Sequence, residues 1–459
     1  MGLHVVKKGL DLPIAGAPEQ TIEDAKAPRC VALVAADYEG MRPRLLVQEG
    51  DTVKRGQALF ENKKIPGVMN TSPGAGTVVA INRGAKRALQ SVVVELNENE
   101  RNGSPSDGDF QSFTSYEGKD LALMDRGEVE ALAVESGLWT SFLTRPYGKT
   151  PELGSKPHSI FVTAMDTNPH APSVDVIAAG RDEDLKAGLL AVSKLCDGTV
   201  YVCKAPDSKI TAPPDIGLTV EEFKGPHPSG TAGLHIHLLD AVNRAKTVWH
   251  IGLQDVLALG ALFRTGRLDV DRVVSLAGPG VKKPRLLRTR IGASLDYLTE
   301  GELLDGEMRI LSGSVLSGRG ASGQVHGYLG RLHSQVSVLR EGREREFLGW
   351  MGLGANKFSI SNLFLSKLFP GKQYDMTTNV NGSPRAVVPI GLYEKVMPLD
   401  ILPTFLIRSL LSGDLERAEA LGCLELAEED LALCSLVSPG KEDFGTVLRK
   451  NLTTIENEG

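Results

Sequence analysis

From Ser159 to Ala277 short apolar strands and amphipathic helical stretches take turns, and this alternation limits the possible folds more than any other feature. Ser159 to Ala164 (SIFVTA) reads as a strand, Asp182 to Leu195 has helical spacing, and Thr199 to Lys204 (TVYVCK) is a second strand. Gly233 to Asn243 reads as a helix, Thr247 to Ile251 (TVWHI) as a strand, Gln254 to Gly266 as a helix and Arg272 to Ala277 (RVVSLA) as a further strand. Such a run predicts a mostly parallel sheet with helices on both faces. No GxGxxG opens a helix in it, so a standard dinucleotide site is not indicated.

A chain of 459 residues is too long for one core, and size scaling predicts about two to four domains. Upstream of the alternating region, Cys30 to Ala35, Arg44 to Val47, Ala58 to Asn62, Thr77 to Ile81 and Ser91 to Leu96 read as strands of a small all-β module. Asn97 to Asp120 turns polar (NENERNGSPSDGD) and reads as a linker or exposed loop. Strands dominate again from Arg288 to about Arg345. Beyond Asn381 the pattern is helical, with Asp400 to Ser412, Leu415 to Gly422, Glu428 to Leu436 and Phe444 to Asn451 as the helices.

Charge and composition exclude several classes. Lys plus Arg (51) against Asp plus Glu (57) leaves −6, which argues against a chain-wide basic surface for nucleic acid. The longest nearly apolar run, Thr247 to Phe263, contains His250, Gln254 and Asp255, and so reads as buried core, not as a membrane span. The N-terminus lacks the apolar core of a signal peptide. The chain therefore reads as soluble and cytoplasmic, able to dock on something that spans a membrane. Cys30, Cys196, Cys203, Cys423 and Cys434 contain no CxxC, which fits a reducing compartment and small buried side chains. His235 and His237 diverge on a helix and read as structural or surface groups. The basic stretch Lys282-Lys283-Pro284-Arg285 with Arg288 and Arg290 reads either as a solvated loop or as a face for an acidic partner or anionic lipid.

Several blocks carry a resemblance. Glu49 to Ile81 (EGDTVKRGQALFENKKIPGVMNTSPGAGTVVAI) is similar to biotinyl and lipoyl carrier domains, whose modified lysine sits at a hairpin tip. Lys63 and Lys64 lie near that tip without the flanking residues a ligase reads, so the module reads as a docking unit with no cofactor bound covalently. KKGLDLPIAGAPEQ (Lys7 to Gln20), RTRIGASL (Arg288 to Leu295), VVPIGLYEKVMPLDILPTFL (Val387 to Leu406) and LGCLELAEEDLALCSLVSPGK (Leu421 to Lys441) resemble, in order, the NqrA family of the sodium-translocating NADH:quinone oxidoreductases (Na+-NQR). That family is related to the C subunit of the Rnf complex and to the flavin subunit of complex I.

The resemblance implies a multi-domain α/β plus β chain. Its parts are an N-terminal segment and barrel-sandwich hybrid module (1–100), a linker (101–120), a degenerate Rossmann-like domain (121–278), a β-grasp, soluble-ligand-binding module with a β-rich extension (279–380), and a C-terminal helical bundle (381–459). It further implies a peripheral subunit on the cytoplasmic face of the inner (plasma) membrane, in a six-subunit assembly, with the membrane-spanning B subunit and the C subunit as chief partners. Ubiquinone is then the substrate, and flavin, NADH and Fe–S belong to partner subunits. The departures from the relatives support that division. Where they carry a glycine-rich FMN-phosphate loop, this chain has SGLWTSFLTRPYGK (Ser136 to Lys149), and where they carry an acidic residue before Pro, it has Asn168. Trp139, Phe142, Arg145, Tyr147 and Lys149 offer the rings, donors and cations a quinone site needs. The other reading of the same stretch has Trp139 and Phe142 plugging the vacated pocket and Arg145 in a structural salt bridge. A purely structural docking subunit and a flavin-binding electron-transfer subunit stand as the alternative functions.

Overall fold

The computed structural model describes residues 2–344, 351–361, 363–388 and 390–458. Its first sheet has six strands in the order Leu3–Val5, Thr219–Lys224, Thr199–Lys204, Ser159–Ala164, Val248–Gly252 and Leu143–Arg145. All neighbours run parallel except Leu143–Arg145, which pairs antiparallel with Val248–Gly252. Both faces are covered, so the strands are apolar along their whole length, as in Ser159–Ala164. Helix Asp182–Lys194 opens with three acidic residues, which suits the positive end of its dipole, and buries Leu185, Leu189 and Val192 at helical spacing. Helix Arg126–Glu135 starts with a reciprocal capping box between Asp125 and Glu128.

The strand expected at Arg272 to Ala277 forms as Asp271–Ala277 but does not join this sheet. It pairs antiparallel with Arg285–Arg290 and parallel with Gln335–Arg340, inside a second six-stranded sheet that also holds Glu19–Asp24, Met308–Ser312 and Arg319–Gly320. The place beside Val248–Gly252 where a further parallel strand would go is taken by Leu143–Arg145. An apolar run of this length has the same periodicity in either sheet, so its partner is not written in it. The limit drawn at 278 therefore moves to the start of that strand.

The expected barrel strands form two antiparallel sheets. Cys30–Val34, Leu89–Leu96, Gly76–Arg83 and Thr52–Val53 make one, and Pro43–Leu45, Ala58–Asn62 and Met69–Thr71 the other. Between them Val31, Leu59, Phe60, Val78 and Val92 are fully enclosed. The first 24 residues do not belong to this barrel, since Leu3–Val5 edges the first sheet and Glu19–Asp24 the second. Nor is 101–120 a free linker. Asp109 accepts from Asn97, Asn99 and Ser106, while Arg55 and residues 109–111 exchange backbone bonds along the barrel. Short Asn, Asp and Ser side chains satisfy their own backbone here, so a polar composition builds a fixed turn.

Lys63 and Lys64 are exposed at the tip of the barrel hairpin. The hairpin itself packs against the α/β region through Ile65, and Gly67 meets Leu153. The basic stretch 282–290 is mostly strand, with its charges answered inside the chain. Lys283 and Arg285 meet Glu23, Arg285 also meets Glu302, and Arg290 meets Glu100.

The C-terminal region is helical, with Leu392–Val396, Pro403–Ser412, Leu415–Ala420, Ala432–Val437 and Phe444–Glu458 around a core that includes Leu406, Leu431, Cys434 and Leu448. No helix among the described residues is long and apolar enough to cross a membrane.

Candidate functional site

The segment Ser136–Lys149 leaves helix Arg126–Glu135, makes a 3-10 turn at Leu138–Ser141, runs as strand Leu143–Arg145, and turns back through a cis Arg145–Pro146 bond. Trp139 and Phe142 have no exposed surface. With Trp249 they form an aromatic trio, Trp139 edge-on to Trp249 at 5.4 Å and 5.5 Å from Phe142, and Trp139 Nε1 donates to the Pro151 carbonyl at 2.9 Å. Gly137 holds φ +82°, and a Cβ there would come within 2.5 Å of Thr71 Oγ1 on the barrel. Its missing side chain therefore admits the barrel, leaving no concavity for an anion.

The rest of the segment is a strap onto the helical region. Arg145, 1% exposed, donates through Nη1 to Asp430 Oδ2 at 2.9 Å and to the Glu425 carbonyl at 3.2 Å, and through Nη2 to Glu429 at 3.3 Å. The Tyr147 carbonyl accepts from Arg449, and Lys149 pairs with Glu456. Arg145, Tyr147 and Lys149 thus gather at one interface, whereas Trp139 and Phe142 stand apart in the core.

Asp430 lies where α/β sheets of this kind take ligands, beyond the carboxyl ends of the parallel strands and at the start of helix Ala232–Asp240. A Cβ on Gly233 would fall 2.2 Å from Asp430 Oδ1, so glycine in the first turn makes room for the carboxylate. Two histidines lie close by. His235 donates from Nε2 to the Ser229 carbonyl and packs on Phe223, and burial lowers its pKa to about 4. His227 is likewise pulled down to about 4 by burial, against the opposing pull of Asp11 and Asp430. His237, on the same helix as His235, bonds Glu425, and no group suited to a metal ion occurs among the described residues.

On the other side of the strap, Ser141 joins a buried ion cluster. Asp255 Oδ1 accepts from Ser141 at 3.2 Å, from Arg331 at 2.7 Å and from Arg272. Burial opposes ionisation of Asp255, but the two guanidinium groups outweigh it and hold the carboxyl below the usual range. Arg331 follows the second sheet's Arg319–Gly320 strand, so this cluster ties that sheet to the α/β region. A cavity of about 20 Å³ remains beside it, lined by Tyr38, Asn70, Ser136, Thr140 and Arg331 among others, with Asn70 Oδ1 unpartnered. That volume suits a single water.

These residues do not fit a flavin phosphate. Leu138, Trp139 and Thr140 are packed at 1%, 0% and 4% exposure where the loop would have to open, and the Asp430 carboxylate fills the nearby helix start.

Comparison with known proteins agrees over the whole length. Residues 4–97 match the model described as the NqrA N-terminal barrel-sandwich hybrid domain, residues 124–268 the NqrA second alpha/beta domain, and residues 273–323 the NQRA C-terminal domain. The A subunit of the Na(+)-translocating NADH-quinone reductase of Cellvibrio japonicus is 54% identical over 454 residues, 99% of each chain. The proteins of the same name from Yersinia pseudotuberculosis serotype I and Marinomonas sp. are 53% and 52% identical over 99% and 100% of each chain. The chain belongs to the NqrA family, the A subunits of the Na(+)-translocating NADH-quinone reductase. Half of it (50%, against 49% of the other chain) also superposes on an NAD+-reducing NiFe hydrogenase at a TM-score of 0.36 and 14% identity, too distant for anything to be carried over.

For an NqrA chain, the sequence singles out the strap but not what it grips. Glu429 and Asp430 are read there only as helix-starting residues, and Gly233 as an ordinary helical glycine. The usable signal is the acidic run Glu428-Glu429-Asp430 beside apolar Leu431 to Leu433, which asks for a buried cation.

Proposed function

We propose that this chain acts within the sodium-pumping NADH:ubiquinone reductase as its peripheral NqrA component, on the cytoplasmic face of the inner (plasma) membrane. It contributes to complex assembly and quinone binding and has no flavin, NADH or Fe–S site of its own. Those groups belong to partner subunits of the six-subunit assembly, chiefly reached through the membrane-spanning B subunit and the C subunit, and ubiquinone is the substrate. In the same reading the first sheet is a Rossmann-like domain that has given up its nucleotide, and the second is a β-grasp module.

The observation that carries this reading is the enclosure of Leu138 and Trp139 where the relatives' phosphate loop lies open, together with family membership over 99% of the chain. The strap is the quinone-facing element. Tyr147 and Lys149, both half-buried, offer an apolar ring, a hydroxyl and an ammonium to the two carbonyl oxygens. Trp139, Phe142 and Arg145 hold the strap in register from behind, as positioning residues.

The test is quenching of the intrinsic tryptophan fluorescence of the purified chain by a short-tailed ubiquinone, with Tyr147→Phe and Lys149→Ala alongside. Saturable binding weakened about tenfold by Lys149→Ala, with an unchanged melting temperature, is expected. A second reading, a docking role without quinone contact, is favoured by the full closure of Trp139 and Phe142. Absence of saturable quenching would decide for it.

A further inference from the structure

Exposed apolar side chains are concentrated in one part of this molecule. Of the 21 large apolar residues that stand exposed among those described, twelve fall between Met351 and Leu411. Six of them, Met351, Leu353, Leu363, Leu365, Leu368 and Phe369, belong to a single lobe. The lobe is built and held by specific bonds. Leu365 N donates to the Leu353 carbonyl at 2.9 Å, Ser366 Oγ to the Lys357 carbonyl at 2.5 Å, and Lys372 Nζ to the Ala355 carbonyl at 2.8 Å and Asn356 Oδ1 at 2.6 Å. It is anchored to the body where Tyr374 pairs with the backbone of Pro13 and Ala15.

The charge of the lobe is as distinctive as its apolarity. From Met351 to Tyr374 there are three lysines and no Asp or Glu, although the whole chain carries 57 acidic residues in 459, which would place about three in a stretch of this length. The basic stretch at 282–290 is answered by Glu23, Glu302 and Glu100, whereas Lys367 is exposed with no carboxylate against it among the described residues and Lys372 meets only neutral acceptors. Leucine and phenylalanine standing out among lysines, serines and glycines, with no negative charge, is the composition of the boundary between lipid headgroups and acyl chains. The lobe has little regular structure beyond a 3-10 turn at Leu365–Leu368 and so presents no straight helix or strand edge to a shape-complementary protein face. A bilayer surface requires no such face.

We propose that the lobe Met351–Tyr374 is a membrane-contact surface for anionic phospholipid. Leu363, Leu368 and Phe369 enter the acyl boundary, and Lys367 and Lys372 meet headgroup phosphates. A cleft of about 210 Å³ between Phe358, Phe364, Phe369 and Tyr374 gives acyl segments a place to lodge. The inference rests on the peripheral role proposed above and names the surface that serves it.

The experiment is co-sedimentation of the purified full-length chain with vesicles of phosphatidylcholine alone or with phosphatidylglycerol added. Leu363 and Leu368 are 79% and 71% exposed, so the double variant Leu363→Asp/Leu368→Asp keeps the fold, which a melting curve checks. Binding to the phosphatidylglycerol vesicles is expected to weaken with salt, to fall about tenfold in the double variant, and to lose its preference for anionic lipid in Lys367→Glu. No sedimentation with either vesicle, or binding that the double variant leaves intact, overturns the proposal. Loss of the double variant from the assembled complex without any vesicle binding assigns the lobe to a protein partner. That outcome also overturns the proposal and leaves the peripheral role standing, whose own readout is quinone quenching.

Discussion

His227 and His235 are 2% and 0% exposed, and each has its pKa lowered from 6.5 to about 4 by burial. A neutral ring in the folded state and an ordinary one in the unfolded state make stability depend on pH in one direction. Above pH 6.5 both states hold the ring neutral, and nothing is gained or lost. As pH falls from 6.5 toward 4 the unfolded chain takes up protons that the folded chain refuses, so stability drops, by about 3 kcal/mol per ring at pH 4. Melting temperature measured against pH should be flat above 6.5 and fall steeply below it. His235→Phe, which keeps the contact with Phe223, should remove part of that slope. None of this was visible in the H-x-H pattern, because helical spacing places two rings on different faces without saying which face closes.

The strap is the element on which the candidate site depends. Its sequence shows that the glycines of a phosphate loop are gone, and residue volume alone predicts that Trp139 fills space. It does not show that Arg145 reaches Asp430, 285 positions along the chain. Asp430→Ala leaves the buried Arg145 guanidinium without its closest partner and should cost about 3–5 kcal/mol in urea unfolding followed by circular dichroism. Arg145→Met combined with Asp430→Leu should recover much of that loss, since an apolar pair needs no desolvation of charge. The displaced strand Asp271–Ala277 makes the same point for sheets. Its β-character follows from Arg-Val-Val-Ser-Leu-Ala, but whether it lies beside Val248–Gly252 depends on which chain arrives there, and Leu143–Arg145 does.

Across the whole molecule, a few buried charges hold the modules together. The Glu100 carboxylate, with no exposed surface, joins Arg55 of the barrel to Arg290 of the second sheet and receives the Ala75 backbone N–H at 3.0 Å. Asp255 does the same between the α/β region and Arg331. Glu100→Gln should therefore loosen the barrel from the body. The expected outcome is about 3 kcal/mol of lost stability and earlier cleavage between barrel and body in limited proteolysis.

The sequence by itself determined the list of elements, the barrel, the α/β alternation, the helical C-terminal region and the family, because periodicity, turn residues and ordered motif blocks act locally. Only the tertiary structure decided which sheet receives Leu3–Val5, Glu19–Asp24 and Asp271–Ala277, that the polar stretch 101–120 is built into the barrel, and that Asp430 occupies the crevice of the first sheet. Backbone hydrogen bonds and buried carboxylates have no partner preference written in their own residue type. Their partners are set by which segments the packing of the cores brings within about 3 Å.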